Sequence, residues 1–323
     1  MTRSDVAAGC TVDFPGLRWR SAGARDLDAW AALIARTAAV EKPVWFEHRP
    51  DLEQLMESRK NPPEDNTVLG FDSEGVPRAY ARITKNTSSD KSYGFGCVDP
   101  LGWLEARAWQ RFLEDVAVGG RVTARLRIHN EQQHEHQAAL FTARGYEVVR
   151  YFNEMHRPLT PPLPEAVLGP DLELVTMDPE LSEAVRLAHN DAFRDHWGSE
   201  PKDEESWGYV VNDPQARPDL SAVVLERSTG KVAGYQLAAH DQESAVTRGF
   251  SEGYTDLLGV RRKFRGRGIA RALLADAMRR FAAAGLDVAS LDVDSENPTG
   301  ALALYLKMGY QPVNRSLAWD KVL

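Results

Sequence analysis

The stretch from Val260 to Leu274 reads VRRKFRGRGIARALL, and the rest of the chain is read outward from it. The apolar run Leu257, Leu258, Gly259 and Val260 enters it as a strand. Basic residues and two glycines follow, and then a helical pattern. Arg265-Gly266-Arg267-Gly268-Ile269-Ala270 places glycine where a backbone turns tightly and approaches a ligand closely. A helix that starts there presents unpaired N–H groups and the positive end of its dipole, which together favour an anion. Arg261, Arg262, Arg265, Arg267 and Arg271 add positive charge. The stretch reads as a cradle for a pyrophosphate.

Two familiar pyrophosphate motifs do not match it. There is no G-K-[ST], which argues against a Walker loop. The dinucleotide fingerprint needs a small third residue, and the slot is filled by Arg271. The pattern R-x-x-G-x-A, from Arg265 to Ala270 behind an L-x-V strand end, instead resembles the GNAT acyltransferase superfamily. The resemblance implies that Arg265, Gly266, Arg267, Gly268, Ile269, Ala270 and Arg271 surround the pyrophosphate of acetyl-coenzyme A. It also implies that the strand before them splays from its neighbour. Backbone groups at Leu258, Gly259 and Val260 would then bind the pantetheine arm, and an unpaired amide would polarise the thioester carbonyl.

Ser295-Glu296-Asn297-Pro298-Thr299-Gly300-Ala301-Leu302-Ala303-Leu304-Tyr305 resembles the second half of the same signature. By that resemblance Asn297 helps to seat the cosubstrate, and the Tyr305 hydroxyl lies near the thioester sulfur. The chemistry agrees with the role. A thiolate of pKa near about 8.5 must leave when an amine attacks, and a phenol of pKa about 10 can donate to it. The alternative is a core tyrosine, since Tyr305 follows an apolar helix face. Family members often carry a carboxylate six residues before the valine that ends the strand; here that position is Tyr254. Asp256 lies on the same face by strand alternation. It reads as the general base or, equally, as a brace for the motif's arginines.

Acceptor contacts are sought in Asp195, His196, Trp197 and Glu200, between two helices of the same half. Aromatic and acidic side chains there suit an amine with some apolar bulk. A surface loop anchored by one tryptophan is the competing reading. His129, His134 and His136 show no third-ligand arrangement that points to a metal, and none is expected.

Length and composition bound the rest. At 323 residues the chain is comfortable for two domains, with 43% apolar and 27% charged residues. A net charge of −8 argues against a nucleic-acid binder. Cys10 and Cys97 form no C-x-x-C pair, which excludes a disulfide framework or zinc site as an organising device. The N-terminus lacks a signal-like apolar run, and no stretch is apolar enough to span a membrane. A cytoplasmic protein is expected.

In chain order, residues 1–15 read as a flexible tail. Residues 16–157 read as strand, two helices, three strands, helix, strand, helix, strand. Residues 158–170, with five prolines, read as a semi-rigid interdomain linker. Residues 171–323 then repeat the same order. Leu140-Phe141-Thr142-Ala143-Arg144-Gly145-Tyr146 parallels Leu304-Tyr305-Leu306-Lys307-Met308-Gly309-Tyr310. A tandem duplication follows. The fold class is α/β: two GNAT-like domains, each a mixed, mostly antiparallel sheet flanked by helices, similar in arrangement to mycothiol synthases. The first copy is degenerate. Its expected turn, Val98-Asp99-Pro100-Leu101-Gly102-Trp103, has no R-x-x-G-x-A, and Phe141 stands where a tyrosine is expected. The expected activity is acetyl transfer from acetyl-coenzyme A to the primary amine of a small molecule, by direct attack in the second copy. A non-catalytic coenzyme A sensor, a different acyl donor and a hydroxyl acceptor are the alternatives.

Overall fold

The computed structural model describes residues 16–323 apart from positions 44, 87–88, 97–99, 120–122, 195 and 298–299. The N-terminal tail, Cys10, Cys97, Asp195 and the start of the first copy's turn at Val98 and Asp99 lie outside the described residues.

The chain forms two compact units, Met1–Tyr151 with Ser316–Leu323, and Phe152–Arg315. Sequence alone places the boundary at 157 and the whole last strand in the second copy. The difference arises from β-pairing. Strand β6 (Glu147–Pro158) pairs its residues Phe152–Pro158 within the second unit, antiparallel to Asp294–Val288. Strand β12 (Gln311–Val322) pairs Ser316–Val322 within the first, antiparallel to Glu131–Arg125.

The first unit contains β1 (Arg18–Ser21), β2 (Thr67–Phe71), β3 (Pro77–Lys85), β4 (Lys91–Gly96) and β5 (Arg125–Glu131). They pair in that order, antiparallel except for the parallel β4–β5 pair, and Ser316–Val322 pairs beyond β5. Its helices are α1 (Leu27–Glu41), α2 (Arg49–Met56), the short α3 (Pro63–Asn66), α4 (Leu101–Gly119) and α5 (Glu135–Ala143). Phe141 is buried, with its ring 5.7 Å from Trp319 and 5.9 Å from Tyr146. It is a packing residue. Arg127 and Asp320 form a buried two-pronged ion pair at 2.6 and 2.8 Å.

The second unit contains β7 (Leu172–Thr176), α6 (Ser182–Ala192), α7 (Glu204–Val211), β8 (Ala222–Glu226), β9 (Lys231–Ala239), α8 (Gln242–Arg248), β10 (Glu252–Val260), α9 (Ile269–Ala283), β11 (Val288–Asp294) and α10 (Ala301–Lys307). The sheet order is β6-β11-β10-β9-β8-β7, antiparallel except between β10 and β11. Helix α9 lays Leu274, Ala277, Met278 and Phe281 on one face of the sheet, against Ala289, Leu291 and Met155. Phe281 fits because Gly253 beneath it has no side chain; a Cβ there would come within 2.3 Å of the ring. On the other face Val185 and Ala188 of α6 pack with Trp207, Tyr235 and Leu237.

Helix α8 is absent from the sequence reading, although its ends carry recognisable signals. The Asp241 carboxylate caps the N–H groups of Glu243 and Ser244, and Gly249 closes it at φ +77°. Beyond Pro158, residues 159–170 are irregular, as their prolines dictate. They are packed, however: Leu159 is buried, Leu163 and Ala166 join the α9 core, and Leu168 joins a neighbouring cluster. Among the described residues no helix is long and apolar enough to cross a membrane.

Candidate active site

Strand β10 is paired on one side along almost its whole length. Val260 still faces Gly234 of β9 at its last residue. On the other side its pairing with β11 covers only Glu252–Tyr254 against Val288–Ser290. Beyond that point β11 continues with β6 as far as Asp294. The two strands therefore diverge, as the resemblance implied. A cavity of about 750 Å³ fills the gap, with Thr255–Val260 on one wall and Leu291–Asp294 on the other.

The anion end lies where β10 runs into α9. Gly266 and Gly268 sit at φ +75° and +76°, in the left-handed region that costs other residues about 1–2 kcal/mol. Gly268 is the N-cap of α9 and supplies no side-chain cap to its first turn. The amides of that turn keep their hydrogen-bonding capacity. Arg265, Gly266, Gly268, Ile269, Ala270 and Arg271 line the cavity, together with Leu258, Gly259 and Val260. Arg265 is steadied by bonds to the carbonyls of Ala192 at 2.8 Å and Val260 at 3.3 Å. Arg267 does not line the cavity. Its guanidinium pairs with Asp171 at 2.6 Å and lies over the Phe264 ring. The donor set of uncapped amides and two arginines at the end of a divergent strand pair fits a pyrophosphate-bearing thioester.

Tyr305 projects from α10 onto the cavity wall, buried to 8% exposure. Burial pushes its phenol up to about 12, so it stays protonated throughout the physiological range. Its ring meets that of Tyr310 edge-on at 6.0 Å. Asp256 sits at a β-bulge between Thr255 and Leu257, which turns its carboxyl into the cavity. By area it is exposed, but the surface it shows is the cavity interior, with protein around it. Desolvation pushes its pKa up to about 6; Lys202 opposes this shift and Asp213 adds to it. Tyr254 is not on the cavity wall. Its hydroxyl donates to Asp292 Oδ2 at 3.2 Å, and burial drives its pKa well above the usual phenol value.

Of the acceptor-side residues, His196 lines the cavity. Its Nδ1 meets the Trp197 carbonyl at 3.1 Å and its Nε2 meets Asn297 Nδ2 at 3.3 Å. A carbonyl only accepts, so Nδ1 carries the proton and Nε2 accepts from the amide. Asn297 is thus on the wall and bonded to His196. Trp197 does not line the cavity, and its ring lies 6.4 Å from that of Phe152. Glu200 does not line the cavity.

Sequence reasoning missed Phe152, Phe193, Asp292 and Asp294 on the wall, and Lys202 near Asp256. Strand alternation past Leu291 was the available signal for the aspartates; Phe152 had none, because it reaches the site only through the β6–β11 pairing. Glu154, His156 and Glu252 also converge, their ligand-type atoms lying within 4.8 Å of one another. Arg248 stands among them, 2.5 Å from Glu154 and 2.7 Å from Glu252, and supplies the positive charge. His129, His134 and His136 belong to no such group among the described residues.

Comparison with known proteins agrees with this geometry. Residues 182–310 match the acetyltransferase (GNAT) family. A mycothiol acetyltransferase of Salinispora arenicola is 30% identical over 251 residues, 74% of this chain and 76% of that protein. Those of Streptomyces bingchenggensis and Thermobispora bispora are 29% and 31% identical, and the chain spans 62% and 58% of their lengths. Among solved structures, a GCN5-related N-acetyltransferase from Sphaerobacter thermophilus superposes with TM-score 0.71 at 23% identity, covering 96% of each chain. A tandem GNAT protein from the clavulanic acid biosynthesis pathway gives 0.68 at 14% identity, covering 95% of this chain and 98% of that one. These two share its fold. The divergent β10–β11 pair, the glycine turn into α9 and these relatives lead to one conclusion: the chain belongs to the GNAT acetyltransferase family, as a homologue of the mycothiol acetyltransferases.

Proposed function

We propose that the second unit transfers an acetyl group from acetyl-coenzyme A to a primary amine of a small molecule by direct attack. The observation that carries this reading is the placement of Asp256 and Tyr305 on one cavity whose far end is the uncapped start of α9. The thioester supplies the acyl group and a thiolate leaving group. The residues supply the rest. Arg265, Arg271 and the first-turn amides of α9 hold the anionic end. The edge of β10 left by β11 offers backbone donors to the thioester carbonyl.

Asp256 accepts a proton from the incoming ammonium, and a carboxyl near 6 is ionised for that task at neutral pH. Tyr305 donates towards the departing sulfur. Phe152 and Phe193 give the acceptor side an apolar surface, which suits an amine on a partly apolar body. Its homology to acetyltransferases named for mycothiol supports a small-molecule acceptor. An acyl donor of the cell interior supports a cytoplasmic setting. The test is amine-dependent release of coenzyme A by the wild-type protein. Acetyl-coenzyme A binding without release for any amine would favour a sensor.

A further inference from the structure

Strands β10 and β11 part after Tyr254, which faces Ser290 in the last pair of their register. Side chains alternate along a strand, so Asp292 is the next residue of β11 on the face of Ser290. The Tyr254 hydroxyl reaches forward to it and donates to Asp292 Oδ2 at 3.2 Å. This side-chain bond joins the two strands where their backbone pairing stops. Asp292 lines the cavity and Tyr254 does not, so the phenol acts on the cavity through the carboxylate it holds. On its other flank Asp292 stands opposite Glu154 of β6, which Arg248 engages at 2.5 Å and His156 at 2.6 Å.

Three carboxylates share the cavity, in different surroundings. Asp294 is buried, and its Oδ1 accepts the Glu296 N–H at 2.9 Å in the turn after β11. Asp256 sits at the bulge of β10 and is read as the proton acceptor. Asp292 is exposed to the cavity from the facing strand. The cationic wall residues Arg265 and Arg271 belong to the turn and the start of α9. A primary amine arrives as an ammonium at neutral pH. A carboxylate that takes its proton becomes neutral and loses its electrostatic hold, so proton transfer and retention call for separate groups. We propose that Asp292 is the acceptor-binding carboxylate, holding the protonated amine across the split from Asp256, with Tyr254 as its positioning residue. This rests on the reading of the cavity as an amine acetylation site. Asp292 accepts a hydrogen bond from the nitrogen and takes no proton. It thereby selects an ammonium over an uncharged hydroxyl of the same shape.

The experiment is steady-state kinetics with butylamine, benzylamine and putrescine as acceptors and benzyl alcohol as uncharged competitor. The proteins are the wild type, Asp292→Asn, Asp292→Glu, Tyr254→Phe, the double variant Tyr254→Phe/Asp292→Asn, and Asp256→Asn. Asp292→Asn is expected to raise KM for the best amine about tenfold or more, the worth of a charge-assisted bond. Its kcat and its KM for acetyl-coenzyme A should stay within about twofold, and inhibition by benzyl alcohol should be unchanged. Asp292→Glu should recover part of the loss. Tyr254→Phe should raise the same KM about threefold, and the double variant should be no worse than Asp292→Asn, because the phenol acts through the carboxylate. An unmoved amine KM in Asp292→Asn overturns the proposal. So does a collapse of kcat with KM kept, which would make Asp292 the base. Additive losses in the double variant defeat the role of Tyr254. Full activity of Asp256→Asn beside a raised KM in Asp292→Asn defeats the base reading and supports this one. A wild type that acetylates none of the amines defeats the acetylation reading and this proposal with it.

Discussion

Asn297 donates its side-chain amide to His196 Nε2 at 3.3 Å, joining two residues of the cavity wall that lie 101 positions apart. One belongs to the turn after β11 and the other to the loop after α6. The bond ties the loop expected to meet the acceptor to a residue expected to seat the acyl donor. Asn297→Ala and His196→Ala are each expected to raise acceptor KM about tenfold, and the double variant to cost no more than the worse single one, as for coupled neighbours. Steady-state kinetics on the double-mutant cycle checks this. Fully additive losses would show that the two side chains act separately.

Arg267 and Arg271 flank the same turn but have different surroundings. Arg271 lines the cavity, whereas Arg267 is paired with Asp171 away from it. Arg271→Ala should raise KM for acetyl-coenzyme A by about tenfold or more, the worth of one charge-assisted bond. Arg267→Ala should leave that KM within about twofold and barely change stability, because an exposed ion pair contributes little. The reverse ranking would remove Arg267's ion pair as its explanation.

The ionised form of Asp256 is costly to the folded protein. Its folded pKa, near 6, is above the ordinary carboxyl value of 3.8. Between those values the folded protein binds more protons than the unfolded chain, so stability from this group falls as pH rises and its ionisation opposes folding above about pH 6. Asp256→Asn should melt higher than the wild type at pH 8, with little difference at pH 3, and should lose about a hundredfold or more in kcat. Thermal melts at the two pH values test the sign. A lower melting temperature at pH 8 would contradict it.

The C-terminal residues are structural for the first unit. Asp320 neutralises buried Arg127, and Trp319 Nε1 donates to Asn130 Oδ1 at 2.8 Å. Asp320→Ala removes the carboxylate that neutralises the buried Arg127 guanidinium and should cost about 3–5 kcal/mol. Chemical denaturation followed by tryptophan fluorescence would detect it. An unchanged midpoint would show that Arg127 has another counter-charge.

The sequence was most informative where backbone geometry is local. Gly266 and Gly268 mark left-handed positions that few other residues tolerate, and the helix start follows within the same turn. Tyr305 and Asn297 follow from spacing within one strand-turn-helix segment. Features set by distant pairing were hidden. Phe152 reaches the cavity through its register with Asp294, 142 residues away by position number. Arg267 turns outward because of Asp171, 96 residues earlier. The Lys202 backbone is held by the side chain of Asn190, a contact no periodicity encodes. Likewise the exchange of β6 and β12 residues between the units depends on strand register, which hydrophobic pattern alone leaves undetermined.

The proposed acetyl transfer turns on Tyr305 donating a proton in the cavity it shares with Asp256. The direct measurement is coenzyme A release from acetyl-coenzyme A across a panel of primary amines, with Tyr305→Phe alongside. The account predicts release that depends on the amine and falls about a hundredfold or more in the variant, with acetyl-coenzyme A affinity retained. Equal rates in wild type and variant, or tight binding of coenzyme A with no release for any amine, would contradict it.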